Sequence, residues 1–355
     1  MNILQIGTGG CGNKLINTLI NITNKRLNLI NTYDYLFINS NDNEVKCLPN
    51  SNNSNSLILQ GNGTGRDRKK AKKSIELDKS KFLNHFNKIS DKYDSYEIYF
   101  SADGGFGSGS IVGLCSVIRQ INPKTKINLR FAFPKVNSRK LSLQNAVDLY
   151  YDVVKMLKSG IINSITIINN DKMNDEDKFN TKCMTQLLDA LEFHGSSIDE
   201  NDAFKVNCSD KYRLCFNLRE DLPMDDAVEL AIKQSPFVVP DNITSCSHLC
   251  GLLNKNNFHK DDPMEIFLVK DFDKTDYSTD GRNSLLIGGI KMPNNYITNV
   301  ERILSQIDNV EDIDDDLDYK PSIKNEVQDE ISVEDKQETK LERLQNMITD
   351  DFWNI

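Results

Sequence analysis

"EIYFSADGGFGSGSIVGL", residues Glu97–Leu114, runs from β-branched and aromatic positions into a turn of glycine and serine, then into an apolar segment with the look of a helix. A strand that feeds a helix through such a turn directs backbone N–H groups and the positive end of a helix dipole at one point, which suits phosphate. The turn carries no lysine. A phosphate held there must be balanced by many backbone donors and helix termini rather than by the single ammonium of a P-loop.

Two further junctions have the same character. "ILQIGTGGCGNKL" satisfies GxGxxG with Gly7, Gly9 and Gly12 between a strand and a helix, and taken alone it would suggest a dinucleotide cofactor such as NAD. That reading asks for an acid closing the second strand, where "FINSND" offers Asn39 first and Asp42 only later. "LQGNGTGRDRKKA" adds Gly61, Gly63, Thr64 and Gly65 after the third strand, and the opening stretch adds Gly104, Gly105, Gly107 and Gly109 after the next. Glycine lets the backbone approach an oxygen without a Cβ in the way. Flexible turns explain one such loop well and three poorly.

The chain has 355 residues, enough for two domains and a tail. Its composition is that of a globular protein, no apolar run approaches the length of a membrane span, and the start has no export leader, so the expected location is the cytoplasm. Eight cysteines without CxxC pairs read as free thiols. "CSHLC", with Cys246, His248 and Cys250, lacks a recognised zinc spacing, and no metal ligands are assigned. A net charge of −9, concentrated late in the chain, argues against direct nucleic-acid binding.

Candidate strands "NILQI", "YLFIN", "LILQ", "EIYFS", "INLRFAF" and "SITIIN" alternate with helical patterns at Gly12–Thr23, Asp67–Leu77, Ser108–Gln120 and Lys140–Lys158. That order predicts an α/β fold with a mostly parallel sheet, its ligand at the carboxyl ends of the strands. Residues 1–174 form the first domain. Phe179, Cys183, Leu187 and Leu191 at helical spacing predict a buried connecting helix over 175–195. A smaller α+β domain over 196–298 follows, with strands "YRLCFNL", "MEIFLV" and "SLLIGGIK" and a helix starting near Pro223. A C-terminal helix and tail occupy 299–355, acidic from Asp308 to Glu338.

These residues resemble the tubulin and FtsZ superfamily of polymerising GTPases. "DGGFGSG", Asp103–Gly109, matches five of the seven positions of its GGG-T-G-(S/T)-G signature, with Asp103 for the first glycine and Phe106 for the threonine. Ser108 and Ser110 are left to supply the hydroxyl that Phe106 removes. "INNDKM" is similar to the family's "PNDK" loop, and "AVELAIKQSPFVVPD" to the helix and "SP" turn of the FtsZ second domain. "GSSIDENDAFKV" looks like the loop after the central helix, where FtsZ proteins carry NxDxxD before a hydrophobic strand; Ser197 stands where asparagine would be. Within the superfamily the divergent phosphate loop and long charged extension look most like the TubZ branch, which moves plasmid and phage DNA. A divergent FtsZ-like division protein is the alternative within the family.

The resemblance implies a Rossmann-like GTP-binding domain that holds GTP or GDP with Mg²⁺. Phosphate would lie on Gly9, Gly10, Cys11, Gly63, Thr64, Gly65, Gly104, Gly105, Phe106, Gly107, Ser108 and Gly109. Asn13 and Asn170 would contact guanine through their amides, and Phe179 with Asn180 would open the central helix beside the base. Asn41 and Asp67 are further candidates for nucleotide or metal contact, or simple caps. Asp199 and Asp202 would act on the attacking water of the neighbouring subunit's nucleotide, in a head-to-tail filament. On spacing alone "IDEND" is also an ordinary solvated acidic turn. The tail segment "KLERLQNMITDDFW", through Leu341, Leu344, Met347 and Ile348, is expected to dock on a DNA-bound adaptor protein or to cover its own domain. A filament that binds GTP without turning it over is a third possibility, raised by Phe106.

Overall fold

The computed structural model describes residues 1–278 and 281–311. The first half runs β1 (Asn2–Thr8), α1 (Gly9–Thr23), β2 (Thr32–Asn39), α2 (Asp42–Lys46), β3 (Ser56–Ile58), α3 (Arg68–Leu77), α4 (Lys79–Asn87), β4 (Ser95–Ser101), α5 (Phe106–Ile121), β5 (Lys126–Phe133), α6 (Lys140–Lys158) and β6 (Ser164–Asn169). The second half runs α7 (Glu176–Leu191), α8 (Glu200–Asn207), β7 (Lys211–Asn217), α9 (Met224–Gln234), β8 (Ser245–Leu253), α10 (Asp262–Ile266), β9 (Leu268–Tyr277), β10 (Ser284–Ile290) and α11 (Asn294–Glu311).

The strands join in one sheet of order β3-β2-β1-β4-β5-β6-β7-β10-β8-β9. All pairs from β3 to β7 are parallel, β10 lies antiparallel between β7 and β8, and β8 pairs parallel with β9. The first six strands therefore have the 3-2-1-4-5-6 order of a doubly wound sheet, whose ligand crevice lies at the carboxyl ends of the strands where the winding reverses, here between β1 and β4. Only Ser164 and Ile165 pair across to β7, so the seam between the halves is short.

Helix α1 lies close on the sheet because Gly12 has no side chain; a Cβ there would sit 2.0 Å from the Tyr99 carbonyl oxygen. Beneath the helices the sheet carries a fully buried ion pair, Arg130 Nε to Glu97 Oε2 at 3.0 Å, with Asn128 Nδ2 donating to Glu97 Oε1 at 2.6 Å. A second buried guanidinium, Arg213, donates to Asn207 Oδ1. Burying two cations and one carboxylate is costly unless each is bonded, and these bonds knit β4, β5 and β7 to the end of α8.

Three elements differ from expectation. Ser245–Leu253 is a strand whose register against β9 shifts between Cys246 and His248; Cys246 packs in the main core and Cys250 in the smaller one under α8. "MEIFLV" splits between α10, begun by Pro263 at its first turn, and β9, a charged edge strand whose lysines and aspartates discourage further pairing. Residues following Asp199 form helix α8 before β7 begins, rather than running straight into a strand. Among the described residues no helix is long and apolar enough to cross a membrane. The tail from residue 312, with "KLERLQNMITDDFW", lies outside the described residues.

Candidate functional site

Two cavities adjoin at the carboxyl ends of β1, β2 and β4 and share Gly10, Cys11, Asn41 and Glu44. The first, about 600 Å³, is lined by Gly9, Gly63, Thr64, Gly65, Gly104, Gly105, Phe106 and Gly107 together with Arg66, Lys70, Ser101 and Asp103. The second, about 920 Å³, is lined by Lys14, Cys47, Asn170, Met173, Glu176 and Asn180 among others. The first is polar and glycine-walled. The second has the more apolar wall that a base and sugar require.

The first cavity is an anion cradle by construction. Helices α1 and α5 both begin without a side-chain cap, leaving the N–H groups of their first turns free. They meet closely, since a Cβ on Gly9 would come within 2.9 Å of the Gly107 nitrogen, and Gly9 itself has φ +72. The loop from Asn62 to Asp67 closes the third side. It folds back through Asp67 N–H to the Thr64 carbonyl at 3.0 Å, and touches α5 so tightly that a Cβ on Gly105 would lie 2.1 Å from Thr64 Oγ1. Asn145 of α6 clips the two loops together, donating to the Arg66 carbonyl at 3.0 Å and to the Asp103 carbonyl at 3.4 Å.

Charge in the cradle comes from side chains that the glycine pattern does not reveal. Arg66 and Lys70 supply cations, and Asp103 and Glu44 supply carboxylates. Glu44 is held by Asn39 Nδ2 at 2.9 Å and Asn41 Nδ2 at 3.1 Å, which brings Oε2 to 3.1 Å from where a Cβ on Gly10 would be. Glu44 and Asp103 bring hard oxygen donors to this cavity, the kind of ligand Mg²⁺ takes one or two of, with phosphate oxygens and water completing its shell. Cys11 is a neutral thiol: burial, then the Asp103 and Glu176 charges against that of Lys14, push it up to about 12.

Of the residues expected from sequence, Asn41 lines both cavities while capping α2, and Asp67 caps α3 through the N–H groups of Lys69 and Lys70. Asn170 opens a one-turn 3-10 helix after β6, and Asn180 sits in the first turns of α7; both face the second cavity. Asn13, Ser108, Gly109 and Phe179 line neither. Asn13 is buried below the floor and donates to the Ile38 carbonyl at 3.3 Å. Ser108 donates back to the Gly104 carbonyl, and Gly109 lets α3 pack, a Cβ there meeting the Arg68 carbonyl oxygen at 2.5 Å. Phe179 is 7 % exposed and belongs to the core.

Sequence reasoning missed Glu44, Arg66, Lys70 and Lys14. Lys14 pairs with Glu176 at 3.1 Å across the second cavity, joining α1 to α7. The signal available was weak: Lys14, Arg66 and Lys70 follow the first and second glycine loops and Glu44 follows the second strand, but nothing local says which way a long side chain turns.

Asp199 and Asp202 line neither cavity. Asp199 caps α8, accepting from Asp202 N–H at 2.9 Å, while Asp202 Oδ2 accepts from Asp199 N–H at 3.3 Å and from Lys274 Nζ at 2.6 Å. Burial alone would raise the Asp202 carboxyl, but Lys274, the Asp199 N–H and Lys205 outweigh it and hold it below the ordinary carboxylate range. The adjacent Glu200 reaches the amino group of Met1 at 2.8 Å, so this loop lies at the amino end of β1. The cavities lie at its carboxyl end, beside Thr8. Seven residues of strand, roughly 23 Å at about 3.3 Å each, separate the two.

Residues 2–177 match the profile of the Tubulin/FtsZ family, GTPase domain. A curated relative, the tubulin-like protein TubZ of Clostridium botulinum C phage, is 23% identical over 224 residues, which are 61% of this chain and 62% of the relative. The matched region thus spans less than two thirds of that protein. Tail-truncated TubZ of Clostridium botulinum phage c-st superposes with a TM-score of 0.75 at 18% identity, covering 87% of this chain and 98% of the other. TubZ of Bacillus thuringiensis serovar israelensis, in a GTPγS-form protofilament, gives 0.71 at 15% identity, covering 88% and 93%. CetZ from Methanosaeta thermophila gives 0.69 at 16% identity, covering 88% and 94%. The order of the sheet, the glycine-walled cradle at its switch point and the family match together identify residues 2–177 as a GTPase domain of the Tubulin/FtsZ family.

Proposed function

We propose that the chain binds GTP and GDP across the two joined cavities, phosphates in the first and guanine in the second, and hydrolyses GTP only when a second copy stacks head to tail on it. In this reading Gly9, Gly10, Cys11, Gly63 to Gly65 and Gly104 to Gly107 hold the phosphates through backbone N–H groups and helix dipoles. Glu44 and Asp103 would hold Mg²⁺, which supplies charge neutralisation at the phosphates when bound. Asn170 and Asn180 would read the purine edge with their amides. Asp199 and Asp202 of the neighbouring copy would orient the attacking water. In this reading the work divides along the chain: residues 1–174 would bind nucleotide, 175–195 connect, 196–298 activate, and 299–355 make up the C-terminal extension.

One observation carries this reading, namely that the acidic loop and the nucleotide cavities sit at opposite ends of β1. No rotamer change spans that distance, whereas translation of a copy along the strand direction brings one end against the other. Such a contact is heterologous and leaves an open filament rather than a closed ring. One of the similar structures named above, TubZ of Bacillus thuringiensis serovar israelensis, is a protofilament. We further propose that the filaments segregate plasmid or phage DNA in the cytoplasm of a bacterial host, through a DNA-binding adaptor held by the C-terminal tail, with no direct nucleic-acid or membrane contact.

Phosphate release from GTP, followed as protein concentration is raised with pelleting in parallel, tests the core of the proposal. A concentration threshold common to turnover and pelleting is expected. Turnover per molecule that is constant with concentration, with no pellet, would overturn assembly-dependent hydrolysis.

A further inference from the structure

The family signature places a threonine where this chain has Phe106, and Phe106 is packed into the core at 5 % exposure with no polar atom to offer. The same loop places a carboxylate, Asp103, in a cavity meant for phosphate. Phe106 removes a hydroxyl donor and Asp103 offers phosphate none, its carboxylate serving Mg²⁺ in the reading above, so the cradle is left short of a side-chain donor for a terminal phosphate. Arg66 has the position for it. Its Cα lies 2.8 Å from where a Cβ on Gly105 would be, directly over the start of α5, and its own backbone is held in the left-handed region at φ +67. Holding a non-glycine residue there costs free energy, here offset by the Thr64 turn and the Asn145 hydrogen bond.

The guanidinium makes one close hydrogen bond, to Ser142, and only a distant ion pair. It donates to Ser142 Oγ on α6 and stands 4.0 Å from Asp103 Oδ2, beyond hydrogen-bond range, with the arginine side chain 53 % exposed. Half-exposed ion pairs of this kind contribute little, whereas guanidinium and phosphate form paired, charge-assisted hydrogen bonds. We propose that Arg66 is the sensor of the terminal phosphate: it rests on Ser142 and Asp103 when the cradle lacks that group and moves onto the phosphate oxygens when it is present. The single arginine then does what a threonine hydroxyl does elsewhere, and it distinguishes a nucleoside triphosphate from a diphosphate. This rests on the nucleotide reading of the cavities proposed above.

Equilibrium titration with GTPγS and with GDP, both with Mg²⁺ and below the pelleting concentration, tests it on the full chain and on Arg66→Ala, Arg66→Lys and Ser142→Ala. Arg66→Ala is expected to lose GTPγS affinity by on the order of tenfold while GDP changes by less than about threefold. Arg66→Lys should recover part of the loss, having the charge without the fork. Ser142→Ala should keep the parent's preference. Equal losses for both nucleotides would overturn the inference. So would a Ser142→Ala variant that reproduces the Arg66→Ala loss, since Arg66 would then act by tethering its loop to α6. A parent chain that binds neither nucleotide would overturn the reading of the cavities themselves, a separate and distinguishable result.

Discussion

The Asp202 carboxylate accepts from Lys274 Nζ at 2.6 Å and from the Asp199 backbone at 3.3 Å, so a residue proposed to orient water for a neighbouring copy is already anchored within its own chain. Anchoring of this kind fixes the carboxylate's direction before assembly, which is what a positioned group needs.

Structural and catalytic contributions of the two acids should therefore separate. Asp199→Ala removes the cap of α8 and is expected to cost about 1 kcal/mol in denaturant unfolding. Asp202→Asn keeps a side-chain acceptor for the Asp199 N–H. It should still bind GTPγS and pellet, while phosphate release falls by about 10²-fold or more. Turnover at the parent rate in Asp202→Asn would remove that residue from the reaction.

Strong acid should weaken the same loop. Asp276 is buried, which by itself raises its carboxyl, but Ser196 Oγ at 2.7 Å, the Ser197 N–H and Lys260 Nζ at 3.0 Å hold it far below the ordinary range. Asp202 is lowered as well. A carboxyl depressed in the folded state stabilises fully above its unfolded value of about 3.9, and that contribution is lost as pH falls through the folded value. Melting curves between about pH 6 and about pH 2 should show Asp276→Asn with a shallower acid decline than the parent. Equal slopes would mean that Asp276 is not coupled to folding.

Two glycines of the cradle should differ in how well they tolerate a side chain. A methyl at Gly105 would strike Thr64 Oγ1 and the backbone of Arg66 and Asp67, so Gly105→Ala must part the two loops and should abolish nucleotide binding. Gly65 has φ +57 with nothing within 4 Å of a Cβ, so Gly65→Ala should cost only about 1 kcal/mol and leave binding measurable. Titration of both with GDP decides between them; equal retention of affinity would contradict the packing of the loops.

Removing the buried carboxylate at the centre of the sheet should be severe. Glu97→Gln leaves Arg130 and Arg213 buried without their anion, and breaking such a pair costs about 3–5 kcal/mol. Denaturant midpoints measure this, and a loss below about 1 kcal/mol would show that water reaches the network.

Local sequence determined much of the frame. The parallel strands are written as short β-branched and aromatic runs, and the glycine loops mark their carboxyl ends, because strand burial and phosphate approach both impose residue types at fixed local spacing. Helix α6 falls at the expected bounds, Lys140–Lys158, since its apolar stripe is purely local. Strand β9 was illegible because an edge strand bears charge to prevent pairing, and α8 because its cap uses the same acids that suggest a reactive loop.

Tertiary structure alone decided the rest. That Arg66, Lys70, Asp103 and Glu44 face one cavity depends on where long side chains turn after loops from three different crossovers have met. That Ser108 and Asn13 turn away, to a carbonyl of their own helix start and to the floor of the sheet, depends on which backbone groups the fold leaves unpaired. The separation of Asp202 from the cavities by the length of β1 follows from a chain that returns past Met1, which local spacing does not encode because proximity in a sheet is set by strand order rather than by sequence distance.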